Sequence, residues 1–92
     1  MVLTLHIRHE AFHQYLARVF DGKVQVGRAT LHGRIDEAVA AYGANGDQWF
    51  PGVTAFAIWY GGWSIGAKPL VQMAEEAALL ANRLVVLSAV VR

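Results

Sequence analysis

The chain has no cysteine. That excludes disulfide staples, thiolate metal centres and a cysteine nucleophile. Charge is scarce: 16% of residues are Asp, Glu, Lys or Arg, against about 25% in an average domain. The net charge of +1 gives no field strong enough to gather nucleic acid over the whole surface. Proline occurs only at Pro51 and Pro69. P-loop, dinucleotide-binding and EF-hand fingerprints are missing, so no cofactor is expected. The N-terminus, MVLTLHIRHE, shows no basic segment followed by a long apolar core. A cytoplasmic location is expected.

What replaces charge is apolar material, at 55% of the chain. Ninety-two residues provide one domain, residues 1–92, and one modest core. The surplus favours an interface, with a second copy of the chain as the expected partner. From Gln48 to Ala67 no side chain is charged, and six of the ten aromatics lie there. Pro51-Gly52 and Gly61-Gly62 interrupt this stretch. Its longest unbroken piece, Val53 to Tyr60, has strand length, and no membrane span is expected.

Periodicity supplies the elements. Val2 to Arg8 alternates, with Leu3, Leu5 and Ile7 on one side, and predicts a half-buried strand. Phe12, Tyr15, Leu16, Val19 and Phe20 follow helical spacing and predict a helix over 9–20. The following Asp21-Gly22 is a hairpin signal that offers Tyr15 to Phe20 as a strand instead. Lys23 to Leu31 reads as a strand with a bulge at Gly27-Arg28. That bulge would bring Val24, Val26, Ala29 and Leu31 to one face and Lys23, Gln25, Arg28, Thr30 and His32 to the other. Ile35, Ala38, Val39 and Tyr42 form a helix face, with Asp36 and Glu37 in its first turn and Gly43 as its cap. Gly43 to Gly52 reads as a loop.

Val53 to Tyr60 reads as a central strand buried on both sides, and Gly61-Gly62 as a hairpin turn that sets Tyr60 opposite Trp63. Leu70, Met73, Ala74, Ala77, Leu80 and Ala81 share one helix face after Pro69. Leu84 to Val91 reads as a second strand apolar on both faces. These elements predict an α+β two-layer sandwich, a mixed or antiparallel sheet with helices on one face. The nearest named topology is ferredoxin-like. Two strands apolar on both faces would need a sheet-to-sheet homodimer to cover them.

Three groups of residues could carry a function. Asn45, Asp47, Trp49 and Phe50, with Trp59 and Trp63, offer a Trp-lined small-molecule site or interface anchors. Arg8, Lys23, Arg28 and His32, with His6, offer an anion patch. Nucleic acid is nevertheless not expected, because no outward residue on those strands is aromatic. His9-Glu10-Ala11-Phe12-His13 matches H-E-x-x-H, which on a helix places two imidazoles on one zinc with the glutamate on its water. A zinc site would also need a third ligand such as His32. The function expected from this sequence is a non-catalytic, homo-oligomeric binding module. An enzyme or sensor with a Trp-lined pocket is the alternative, and a zinc hydrolase through His9 and His13 a third.

Overall fold

The computed structural model describes residues 1–90, with side chains through residue 89. The element order is β1 (Val2–Ala11), β2 (Gln14–Asp21), β3 (Val24–His32), α1 (Ile35–Trp49), β4 (Ala55–Tyr60), β5 (Trp63–Pro69), α2 (Leu70–Glu75) and α3 (Ala77–Val90). The strands form one five-stranded sheet in the order β3-β2-β1-β4-β5. Only β1 and β4 pair in parallel. The chain leaves the sheet edge at β3, crosses through α1 and returns beside β1, which makes that pair parallel. The fold is a two-layer α+β arrangement, as the sequence predicts. Its order differs from the β-α-β-β-α-β of a ferredoxin-like domain.

One side of the sheet carries the core. Leu3, Leu5 and Ile7 of β1, Ala17 and Val19 of β2, and Phe56 and Ile58 of β4 are buried there. They pack with Ile35, Ala38, Val39 and Tyr42 of α1, Met73 of α2, and Leu80 and Leu84 of α3. Burying a side chain of this size contributes roughly 1.5–3 kcal/mol. The α1 face is the one its spacing predicts. Tyr60 stands opposite Trp63 across the Gly61-Gly62 turn, also as predicted.

Residues 9–20 are not a helix. Glu10 bulges out of β1, the chain turns at Phe12-His13, and β2 then runs antiparallel to β1. The Asp21-Gly22 signal marks a true hairpin between β2 and β3. The helical stripe misleads because β2 is apolar on both faces. Tyr15, Ala17 and Val19 point toward the helices, while Leu16 and Phe20 point away.

The bulge in β3 is present, and three residues, Gly27 to Ala29, face Arg18 alone. Gly27 takes φ 72°, and a methyl group there would meet the Phe50 ring at 3.0 Å. The bulge does not change the facing of the residues beyond it. Val26 pairs with Val19 and Thr30 with Ala17, so Thr30 and His32 turn toward the helices and Leu31 away.

Gly43 to Trp49 is helix rather than loop, and α1 continues to Trp49. Gly43 and Gly46 sit within it where α2 and Phe56 come close. Leu84 to Val90 is also helix, and Val91 lies outside the described residues. Ala77, Leu80, Ala81, Leu84 and Ser88 form its buried stripe. The β-branched composition suits a strand, but the chance to continue that stripe wins. β4 is covered on one side only. Ala55 and Ala57 are half-buried and Trp59 is exposed on the other. Among the described residues no helix is long and apolar enough to cross a membrane.

Candidate binding face

With all three helices on one side, the opposite face of the sheet is open. Strand alternation decides which residues it presents. β1 contributes Val2, Thr4, His6 and Arg8, and β2 contributes Leu16, Arg18 and Phe20. Gln25 and Leu31 come from β3, and Ala55, Ala57 and Trp59 from β4. Registers align these into rows. Trp59 pairs with His6 and His6 with Arg18, while Ser64 lies beyond Trp59 on β5. The next row runs Ala57, Thr4, Phe20, Gln25.

The centre of this face has an unusual polar content. The Arg18 guanidinium carbon lies 5.4 Å from the centre of the Phe20 ring. Such a cation–π contact is worth about 0.5–1 kcal/mol at an exposed site and holds the guanidinium in place. His6 meets the same ring edge-on, 6.5 Å between centroids at 87°. His6 Nδ1 and Arg18 Nε are buried and find no hydrogen-bond partner among the described residues. A buried polar atom without a partner costs roughly 1–3 kcal/mol. Burial pushes the His6 pKa below its usual value, and the Arg18 and Arg8 charges push it further down. Arg8 pairs with Glu10 at 3.5 Å. Beside the row, His6, Arg8, His9, Tyr60 and the Gly61-Gly62 turn line a hollow of about 340 Å³.

The residues expected to share a Trp-lined site do not converge. Asn45, Asp47 and Trp49 lie on α1. Asn45 Nδ2 donates back to the Ala41 carbonyl at 3.0 Å. Trp49 packs edge-on against Tyr42, and half-buried Phe50 stacks on Tyr42 and meets Phe56 edge-on at the margin of the core. Trp59 lies on the open face, whereas Trp63, opposite Tyr60, belongs to the helix side. None of the three tryptophans is fully covered by its own chain: Trp49 is 44% exposed, Trp59 37% and Trp63 38%.

Nor do Arg8, Lys23, Arg28 and His32 form one patch. Arg8 is on the open face, Lys23 is in the β2-β3 turn, and Arg28 is in the bulge. His32 faces the helices, where its Nε2 lies 2.8 Å from Thr30 Oγ1. That hydroxyl in turn lies 2.9 Å from Tyr42 Oη. The helix that H-E-x-x-H requires is a strand end and a turn. His9 packs against Tyr15 and His13 against Phe12. Among the described residues no three His, Asp or Glu side chains gather as a metal site would need.

Arg18 and Phe20 are the residues of the open face that sequence periodicity hides. The Asp21-Gly22 hairpin signal was the available clue. Gly62-Trp63-Ser64-Ile65-Gly66 also spells G-x-S-x-G. A nucleophile elbow needs a strand, a sharp turn and a helix. Ser64 instead lies within the β4-β5 hairpin and accepts a hydrogen bond from the Gly66 amide at 2.9 Å. Trp59 separates it from His6, two strand spacings or roughly 10 Å away. Compared with family models, curated proteins and solved structures, the chain finds no match.

Proposed function

We propose that this protein is a non-catalytic binding module that works through the open face of its sheet. The observation that carries this reading is the Trp59–His6–Arg18 row. An exposed indole lies there beside His6 and beside the Arg18 guanidinium, which is set over the Phe20 ring. The groups present are suited to contact and orientation. A pinned guanidinium accepts an anion, an exposed ring accepts a flat apolar surface, and Thr4 and Gln25 offer neutral hydrogen bonds.

Self-association is the second reading, favoured by the apolar margin of Val2, Leu16 and Leu31. Arg18 weighs against it. A twofold contact centred on the row would bring two guanidiniums together in an apolar setting, and like charges there cost several kcal/mol. A partner with negative charge meets no such penalty.

The module reading predicts a ligand whose effect depends on this face. The test is a thermal-shift screen of inorganic phosphate, mononucleotides, oligonucleotides and acidic peptides, with light scattering for self-association. At least one ligand, or a dimer, should be lost in both Trp59→Ala and Arg18→Gln. No response that depends on these two residues would overturn the reading.

A further inference from the structure

We infer that the open face binds single-stranded nucleic acid, with bases on Trp59 and Phe20 and the backbone on Arg18 and Arg8. The inference rests on the binding-module reading and names its partner. It reverses the expectation from sequence, for a structural reason. That expectation considers the outward residues of β1 and β3, none of which is aromatic, and reads Phe20 as part of a helix stripe. In the fold, Phe20 and Trp59 point out from the same face.

Their spacing suits two bases. They lie two strands apart and two residues apart along the strand direction, about 12 Å in all. His6 and Arg18 occupy the ground between them. Bases stack on such rings whatever their sequence, a base on Phe20 taking the place of the Arg18 guanidinium that lies over it, and basic groups along the face track the phosphates. The guanidinium of half-buried Arg18 is a donor group of the kind phosphate oxygens accept from.

The charges of the face agree. Its rows carry Arg8 and Arg18, and the carboxylate of Glu10 lies at the hairpin end, already paired with Arg8. A strand of phosphates therefore meets little repulsion. The hollow beside His6, Arg8 and the Gly61-Gly62 turn leaves room for a nucleotide displaced from the rings. A paired duplex offers no base faces to Trp59 or Phe20, so single strands should be preferred.

Fluorescence anisotropy of a labelled oligo(dT) and an oligo(U), with a duplex as control, tests this directly. Binding should be stronger for single strands than for the duplex and should weaken with salt. Two arginine contacts give a slope of log affinity against log salt near −1.4, and Arg18→Gln should reduce its magnitude by about 0.7. Trp59→Ala should weaken binding about tenfold with the slope unchanged, and Trp59→Phe should restore part of it. Phe20→Leu tests the second ring while keeping apolar volume, with circular dichroism confirming the fold. No binding up to ~100 μM protein, the weak end of non-specific association, overturns the inference. Equal binding by Trp59→Ala and Arg18→Gln does so too, because the oligonucleotide then sits elsewhere. A dimer in light scattering that Trp59→Lys dissociates, without oligonucleotide binding, assigns the face to a second copy. That result overturns this inference and leaves the module reading standing.

Discussion

Gly43 of α1 and Ala74 of α2 meet backbone to backbone. A methyl group on Gly43 would sit 2.5 Å from the Ala74 amide nitrogen and 2.7 Å from Met73 Cβ. Neither neighbour is the free end of a flexible chain, so α2 would have to move. Gly43→Ala improves helix propensity by about 1 kcal/mol, yet overpacking typically costs 1–3 kcal/mol. The clash should win. The substitution should lower Tm by several degrees, since 1 kcal/mol shifts a domain of this size by about 4–8 °C. A thermal melt showing an unchanged or raised Tm would mean that α2 is not packed at that distance.

Thr30, His32 and Tyr42 tie β3 to α1 through one hydroxyl. Thr30 Oγ1 lies within hydrogen-bond distance of both His32 Nε2 and Tyr42 Oη. Burial raises the Tyr42 pKa, and the bond to Thr30 opposes that shift. Tyr42→Phe removes one bond and leaves Thr30 with His32, so a loss of about 1 kcal/mol is expected. Thr30→Val keeps the shape but strands both partners, and should cost more, toward 3 kcal/mol. Urea melts of the two variants check the order. If Thr30→Val were the milder change, the hydroxyl would not be the shared node.

The regular elements were legible wherever one face alone is apolar. Leu3, Leu5 and Ile7 alternate cleanly, and Ile35, Ala38, Val39 and Tyr42 share a helix face; all are buried. Errors arose where a second demand acts on the same residues. Leu16 and Phe20 are apolar on the outward side of β2, and this erased the alternation that would have marked a strand. Gly43 and Gly46 resemble loop punctuation, but they answer the close approach of α2, Leu70 and Phe56. Val85 and Val86 favour a strand locally, while Leu80, Leu84 and Ser88 bury a helix stripe. The binding face was therefore half visible. Trp59 and Arg8 stand out in the sequence. Arg18 and Phe20 do not, because the apolar outward residues that build the face also disguise β2.

Acid should destabilise this fold through His6 and His32. Burial lowers both pKa values; Arg18 and Arg8 add to the shift at His6, and Glu37 opposes it at His32. In the unfolded chain both return to about 6.5. As pH falls through 6.5 the unfolded state takes up protons first, so stability rises with pH across that window. Stability is full above 6.5, declines toward the lower folded pKa values, and levels off below them as far as these groups are concerned. Tm measured from pH 8 to pH 5 should fall, and His6→Gln should remove part of the slope. An identical slope in that variant would show that His6 is as easily protonated folded as unfolded.

His13 sits in the turn between β1 and β2 with φ 57°, the one positive value outside glycine among the described residues. Left-handed backbone costs an L-residue roughly 1–2 kcal/mol, which glycine avoids. Glycine also gains freedom in the unfolded chain, a penalty of about 0.5–1 kcal/mol. The ring contact with Phe12 is weak, since Phe12 is 84% exposed. The balance predicts that His13→Gly is neutral or stabilises by up to about 1 kcal/mol. The same change deletes the second histidine of H-E-x-x-H, so one variant answers two questions. Protein prepared without a histidine tag should show the same zinc content with and without His13, and a Tm equal to or above the parent. A stoichiometric zinc ion lost in His13→Gly, together with a fall in Tm, would restore the metal reading of this hairpin.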